Sequence, residues 1–159
     1  MRKSCIAAGF ALTLVAPIIG AAPAAASASE ESRTYEGTVT SIIDGDSITV
    51  AGIDHEVRLI GVDAAEGGEC YYRQAKGFAQ DELEGAQVEL RTDDRDEESD
   101  GDRLFAYVYV GGAHFNLESV SQGYARERSY GSDYKLRSEF MAAQRQAAQE
   151  NRGRWDACS

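Results

Sequence analysis

The order of residue patterns along this chain of 159 residues predicts an α+β domain. Three observations carry that prediction. β-rich runs crowd the stretch after residue 34, a helical period interrupts them once, and two more helical stretches close the chain. The length suits one domain.

The elements follow in order. "TYEGTVTSIID" carries Tyr35, Thr38, Val39 and Ile42 in a strand-forming run. "DSITVAG" and "HEVRLIGVD" come next, separated by Asp-Gly and Ala-Gly punctuation, and the three runs predict a meander. In "CYYRQAKGFAQDELEG" the period changes. Tyr72, Ala75, Phe78, Ala79 and Leu83 share one helical face, and Gly85 is the expected stop. "AQVELRTDD" and "DRLFAYVYVGG" predict two more strands. The second places Leu104, Ala106, Val108 and Val110 on one face, with Phe105, Tyr107 and Tyr109 on the other. "NLESVSQGY" predicts a short helix, capped by Asn116 and ended by Gly123. Leu136, Phe140, Ala143 and Ala147 stripe a last helix that Gly153 ends. Five short strands with one helix inserted fit a small closed barrel of OB type with three helices.

The first residues stand outside that domain. Arg2 and Lys3 precede a long apolar run, which ends in small residues near Ala26-Ser27-Ala28. That layout predicts a secretory signal peptide over residues 1–28 and a flexible leader over 29–34, with the domain over 35–159. An uncleaved membrane anchor is the alternative, and Pro17, Pro23 and the alanine-rich end favour cleavage. Cys5 has no small-residue lipobox ahead of it, which argues against a lipoprotein. The expected mature chain has no membrane association, is secreted to the extracellular medium and is a monomer.

Cleavage takes the formal charge from -11 to -13, because Arg2 and Lys3 leave. Such a surface excludes nucleic-acid binding by a broadly basic face. A polyanion must be held by a local positive cluster or a metal ion. Two cysteines survive cleavage, Cys70 and Cys158. Export permits a disulfide between them, which would pin the C-terminal tail to the body of the domain. Metal binding by two isolated cysteines is the weaker alternative.

The carboxylates carry the chemistry. Asp44 and Asp46, if in a strand, point to one side, and Asp63, closing the third strand, approaches them across the sheet. Crowded acids repel unless a cation sits among them. A hard divalent ion such as Ca²⁺ meets that need with oxygen ligands. The opposing reading is a plain Asp-Gly turn, which the dipeptide alone favours. Arg58 and Arg103 change the balance, since a guanidinium forks onto two phosphate oxygens. Phosphodiester hydrolysis needs a charge stabiliser, a metal and a base for water. Arg58 and Arg103 suit the first, Asp46 and Asp63 the second, and Glu66 the third. Surface ion pairs are the bland alternative.

From about Tyr35 to Trp155 the chain resembles the thermonuclease, or staphylococcal nuclease-like, family. "IIDGDSITV", "VRLIGVDAAE", "DRLFAYVYV", "NLESVSQGYAR" and a final "GRW" appear in the family's order. The resemblance implies a five-stranded OB barrel with three helices and Ca²⁺-dependent cleavage of DNA and RNA that leaves 3′-phosphates. It places Arg58, Glu66 and Arg103 on catalytic positions. It places Asp46, Asp63 and the Ala64 carbonyl on the metal, with Asp44 nearby. Three departures stand out. Asp63-Ala64-Ala65-Glu66 replaces the usual Asp-Thr-Pro-Glu, so a stiffening proline is missing ahead of Glu66. Asp100 and Gly101 stand where a phosphate-contacting Lys-Tyr pair is usual. The loop from Asp93 to Asp102 is unusually acidic; a solvated loop is favoured there over a second, weak Ca²⁺ site.

Tyr130, ahead of the last helix, is the candidate for stacking a substrate base. Tyr107 and Tyr109 are expected in the barrel wall, Trp155 is expected to pack the C-terminal helix end against the barrel, and His55 and His114 are expected at a turn and a strand end. The reading is therefore a secreted Ca²⁺-dependent nuclease of low sequence preference, acting on DNA and RNA. The alternatives are a non-catalytic OB module that binds nucleic acid or protein, and a secreted acidic Ca²⁺-binding protein.

Overall fold

A computed structural model describes residues 32–93, 103–131 and 133–158. The chain runs β1 (Thr34–Ile42), β2 (Ser47–Val50), β3 (Glu56–Leu59), β4 (Val62–Ala64), α1 (Tyr72–Leu83) and β5 (Gln87–Arg91). It continues with β6 (Arg103–Val110), β7 (Ala113–His114), α2 (Phe115–Ser121), β8 (Ala125–Glu127), α3 (Arg137–Gln149) and α4 (Arg154–Ala157). The fold is α+β, as the pattern predicts. The acidic residues 94–102, and the predicted signal peptide, lie outside the described residues.

β1 is long enough to pair with β2 at one end and β5 at the other, both antiparallel. A register shift between Val39 and Ser41 lets it bend from one partner to the next. β5 continues to β6, β2 to β3, and β3 meets β6 in parallel. That last pairing closes a five-stranded barrel and removes its open edges. The interior is filled by β-branched and leucine side chains, among them Ile48, Val57, Leu59, Leu90 and Val108, each at most 1% exposed. α1 lays Ala75, Ala79 and Leu83 on the barrel, and α3 buries Phe140 and Ala147. α4, a single turn, adds a fourth helix to the three expected.

Four local expectations are corrected. The predicted leader reaches too far, since Thr34 already pairs with Arg91 and the Arg33 amide donates to Thr92 Oγ1 at 2.8 Å. Asp44 and Asp46 lie in the tight connection between β1 and β2, not in a strand. "VRLIGVD" is two strands. Gly61, at φ +76°, turns the chain, and a Cβ there would meet the Tyr134 ring at 2.7 Å. Asp63 therefore sits in β4, which pairs with β8 in a small second sheet. Lastly, Asn116 does not cap α2 through its side chain; His114 holds the N-cap place. Asn116 is fully buried; its Oδ1 accepts from the Val108 amide and its Nδ2 donates to the Ile60 and Ala106 carbonyls. Tertiary demand for those bonds outweighs the capping preference.

Tyr107 packs outside the barrel beside Phe140 and donates to Asp93 Oδ2 at 2.5 Å. Asp93 also accepts from the Lys135 amide and is 1% exposed, so it belongs to the fold and not to a solvated loop. His114 stands in an aromatic cluster with Tyr107, Tyr109 and Phe140. Burial, and then Arg91, lower its pKa to about 4. A disulfide joins Cys70 and Cys158 and ties the start of α1 to the end of α4.

Candidate active site

The turn between β1 and β2 is shaped by its own side chains. The Asp46 amide donates to Asp44 Oδ1 at 3.0 Å, the geometry of an Asx turn. Gly45 lets this turn press inward, because a Cβ there would stand 2.7 Å from the Ala64 Cβ. Asp46 is thereby brought against β4, and its Oδ2 accepts from the Ala64 amide at 2.6 Å. Its other oxygen meets the Arg58 guanidinium from β3 in a close ion pair.

Arg58 is the hub. It is 8% exposed, and its second nitrogen donates to the Tyr130 hydroxyl at 2.8 Å. Tyr130 in turn donates to Asp63 Oδ1 at 3.1 Å. One bonded chain, Asp46 to Arg58 to Tyr130 to Asp63, therefore crosses the barrel rim. Burial opposes the charge on Arg58, but Asp46 and Tyr130 outweigh it and hold the guanidinium above its ordinary value. Burial pushes the Asp46 carboxyl up, to about 8, against the pull of Arg58; Asp44 adds to the push. A carboxylate so desolvated gains from a further cation.

β3 and β6 place the two predicted arginines on one face. Arg103 is the register partner of Glu56, and Glu56 and Arg58 lie two apart on β3. The exposed Arg103 thus emerges from the same side as Arg58, about 6.6 Å further along the strand direction. Glu66 is exposed in the turn beyond β4. There its amide donates to Glu69 Oε2, and the Glu69 amide returns to its carbonyl, both at 2.9 Å.

Asp46 and Asp63 offer hard oxygens of the kind Ca²⁺ takes; Asp46 Oδ1 already accepts from Arg58 and from the Ser47 hydroxyl, while Oδ2 accepts from the Ala64 amide and keeps a second lone pair. Among the described residues no three acidic, histidine or cysteine side chains converge as a ready-made cage. A cation here would rest on two carboxylates, a backbone carbonyl and water, and that set fits the ion.

The closed five-stranded barrel with its helices is the fold of one known family. Residues 56–157 match the family described as staphylococcal nuclease homologue. The chain belongs to that family. It is similar to a thermonuclease of Staphylococcus hyicus, 32% identical over 131 residues, which cover 77% of this chain and 76% of the relative. It is also similar to a thermonuclease of Staphylococcus intermedius, 32% identical over 126 residues and 74% of each chain. An uncharacterised protein of Methanocaldococcus jannaschii is 29% identical, covering 77% of this chain and 72% of that one.

In this staphylococcal nuclease family member the structure joins Asp44, Asp46, Ala64, Arg58, Tyr130 and Asp63 in one site. Glu66 and Arg103 stand outside that bonded chain. Tyr130, expected to stack on a base, uses its hydroxyl within the site while the residue as a whole is 41% exposed. Sequence reasoning missed Arg128, whose guanidinium lies 3.5 Å from Asp63 Oδ1 and 5.0 Å from the Tyr130 ring centre. The signal was the alternation "ARER" at residues 125–128, which sets Arg126 and Arg128 on one side of a strand.

Proposed function

We propose that this chain is a secreted Ca²⁺-dependent nuclease that hydrolyses phosphodiesters of DNA and RNA with low sequence preference and leaves 3′-phosphate ends. The carrying observation is the buried Arg58, held rigid by Asp46 and Tyr130 at the rim of a barrel whose family includes thermonucleases. A charge fixed in place before substrate arrives needs little reorganisation during reaction. Arg58 and Arg103 clamp the scissile phosphate by their forks. Glu66 orients and deprotonates the attacking water. Asp46, Asp63 and the Ala64 carbonyl hold Ca²⁺, with Asp44 fixing the turn beside them. When bound, the ion supplies positive charge to the phosphate oxygens.

Residues 1–28 serve as the signal peptide, and the mature enzyme is an extracellular monomer. Supporting this, the charge and apolar layout of the N-terminus suit export, and no described helix is long and apolar enough to cross a membrane. The deciding experiment incubates the purified mature protein with plasmid DNA and with RNA. Cleavage with Ca²⁺ that stops under chelator is expected. Ca²⁺ binding with intact DNA would overturn the reading in favour of an ion-binding protein. Retention of DNA without cutting would favour a binding module.

A further inference from the structure

The charge around Asp63 is unlike the rest of this acidic molecule. Asp63 and Arg126 are direct cross-strand partners of β4 and β8, so they stand on the same face. Arg154 reaches this face from α4, whose first amide donates to the Gly123 carbonyl at 2.9 Å. Arg154 is only 8% exposed. Arg58 and Arg128 have their partners in Asp46, Asp63 and Tyr130. Arg126 and Arg154 form no ion pair within 4 Å among the described residues.

That arrangement is costly for the fold alone. Burial and the neighbouring Arg126 both hold Arg154 below the ordinary arginine value, while Asp63 and Glu69 pull the other way without closing on it. A largely buried guanidinium beside a like charge is relieved by an anion. An apolar residue would seat α4 without the penalty. The position also matters, because Asp63 links this face through Tyr130 to Arg58.

We propose that Arg126 and Arg154 form a second phosphate site, which holds a backbone phosphodiester neighbouring the one being cut. The inference rests on the nuclease reading. Its ligand is a single nucleic-acid strand with at least two adjacent phosphodiesters. Two forks on non-bridging oxygens read charge and spacing, not base identity. The site thus favours polymers over the smallest substrates.

The test uses Arg126→Gln, Arg154→Leu and the double variant. The leucine keeps an apolar stem for packing, and Arg126 is exposed, so Arg126→Gln decides alone should Arg154→Leu fail to fold. KM and kcat are measured on a twelve-nucleotide strand and on a dinucleotide with a single phosphodiester. Loss of one charge-assisted contact should raise KM for the longer strand about tenfold per arginine, with kcat kept within about twofold. The dinucleotide should not discriminate among the proteins. Binding of a labelled oligonucleotide under chelator gives a second reading. The slope of log affinity against log salt should shrink by about 0.7 for each arginine removed. Unchanged KM and salt slope, or equal losses on both substrates, would overturn the proposal. Should the parent protein cut nothing, the nuclease reading falls, and the salt slopes still decide the anion site.

Discussion

Removing the Cys70–Cys158 disulfide should cost this domain much of its stability. The bridge spans 88 residues of sequence. The chain-entropy relation for a loop of that size gives about 4.6 kcal/mol at 25 °C. For a domain near this length the loss corresponds to a fall in Tm of roughly 12–20 °C. Calorimetry of Cys70→Ser/Cys158→Ser, and of the parent with and without reductant, measures it. The bridge also acts locally. Cys70 lies four positions after Glu66, and a Cβ on either intervening glycine, Gly67 or Gly68, would meet nothing within 4 Å. The turn that presents Glu66 therefore leans on two hydrogen bonds to Glu69 and on this covalent tie. Assayed well below the reduced Tm, the double variant should lose kcat several-fold with KM nearly kept. A Tm fall under about 3 °C would refute the stability argument. An unchanged kcat would show that the Glu69 contacts alone set Glu66.

Arg103→Ala should lower turnover by about 10²–10³ while leaving the unfolding midpoint within error, because the side chain is exposed; near-native activity would remove Arg103 from the phosphate clamp. Arg58→Ala should lose turnover and also stability, by about 3–5 kcal/mol in urea titration, since it strands the buried Asp46. Asn116→Ala leaves the Val108 amide and the Ile60 and Ala106 carbonyls short of a partner, and should cost about 3 kcal/mol or more by the same titration. His114 titrates near 6.5 when unfolded and about 4 when folded, so its neutral form is the one the fold accommodates. Stability should be insensitive to this group above pH 6.5 and fall as pH drops from 6.5 toward 4, by on the order of 2–3 kcal/mol in total; a parent and a His114→Phe variant with identical pH curves would refute it.

Much of the barrel was legible because its signals are local. Strand runs around Val39, Ile48 and Val57, the helical spacing of Ala75, Ala79 and Leu83, and the glycine stops each lie within a dozen residues. The break at Gly61 was not. The apolar pattern runs straight through Ile60-Gly61-Val62, and only the Tyr134 ring crossing above the glycine reveals why the chain must turn. Asn116 misled for the opposite reason: its position satisfies a local capping rule, but its amide is claimed by backbone from β6 and the β3–β4 turn. The acids and Arg58 could be named from spacing plus chemistry. Arg126, Arg128 and Arg154 look like any solvated cations in the sequence, and nothing nearby shows that they face Asp63.

The rim is assembled from both ends of the polypeptide. Asp44, Asp46, Arg58 and Asp63 are made early, whereas Arg128, Tyr130, Arg154 and Cys158 are made late. During synthesis the acids exist long before the groups that orient them. A nascent or truncated chain stopping before α2 would carry those four early side chains yet lack the Tyr130 hydroxyl that joins Arg58 to Asp63. The bonded rim closes only when Tyr130 reaches Arg58 and Asp63, and the covalent tie only when Cys158 reaches Cys70.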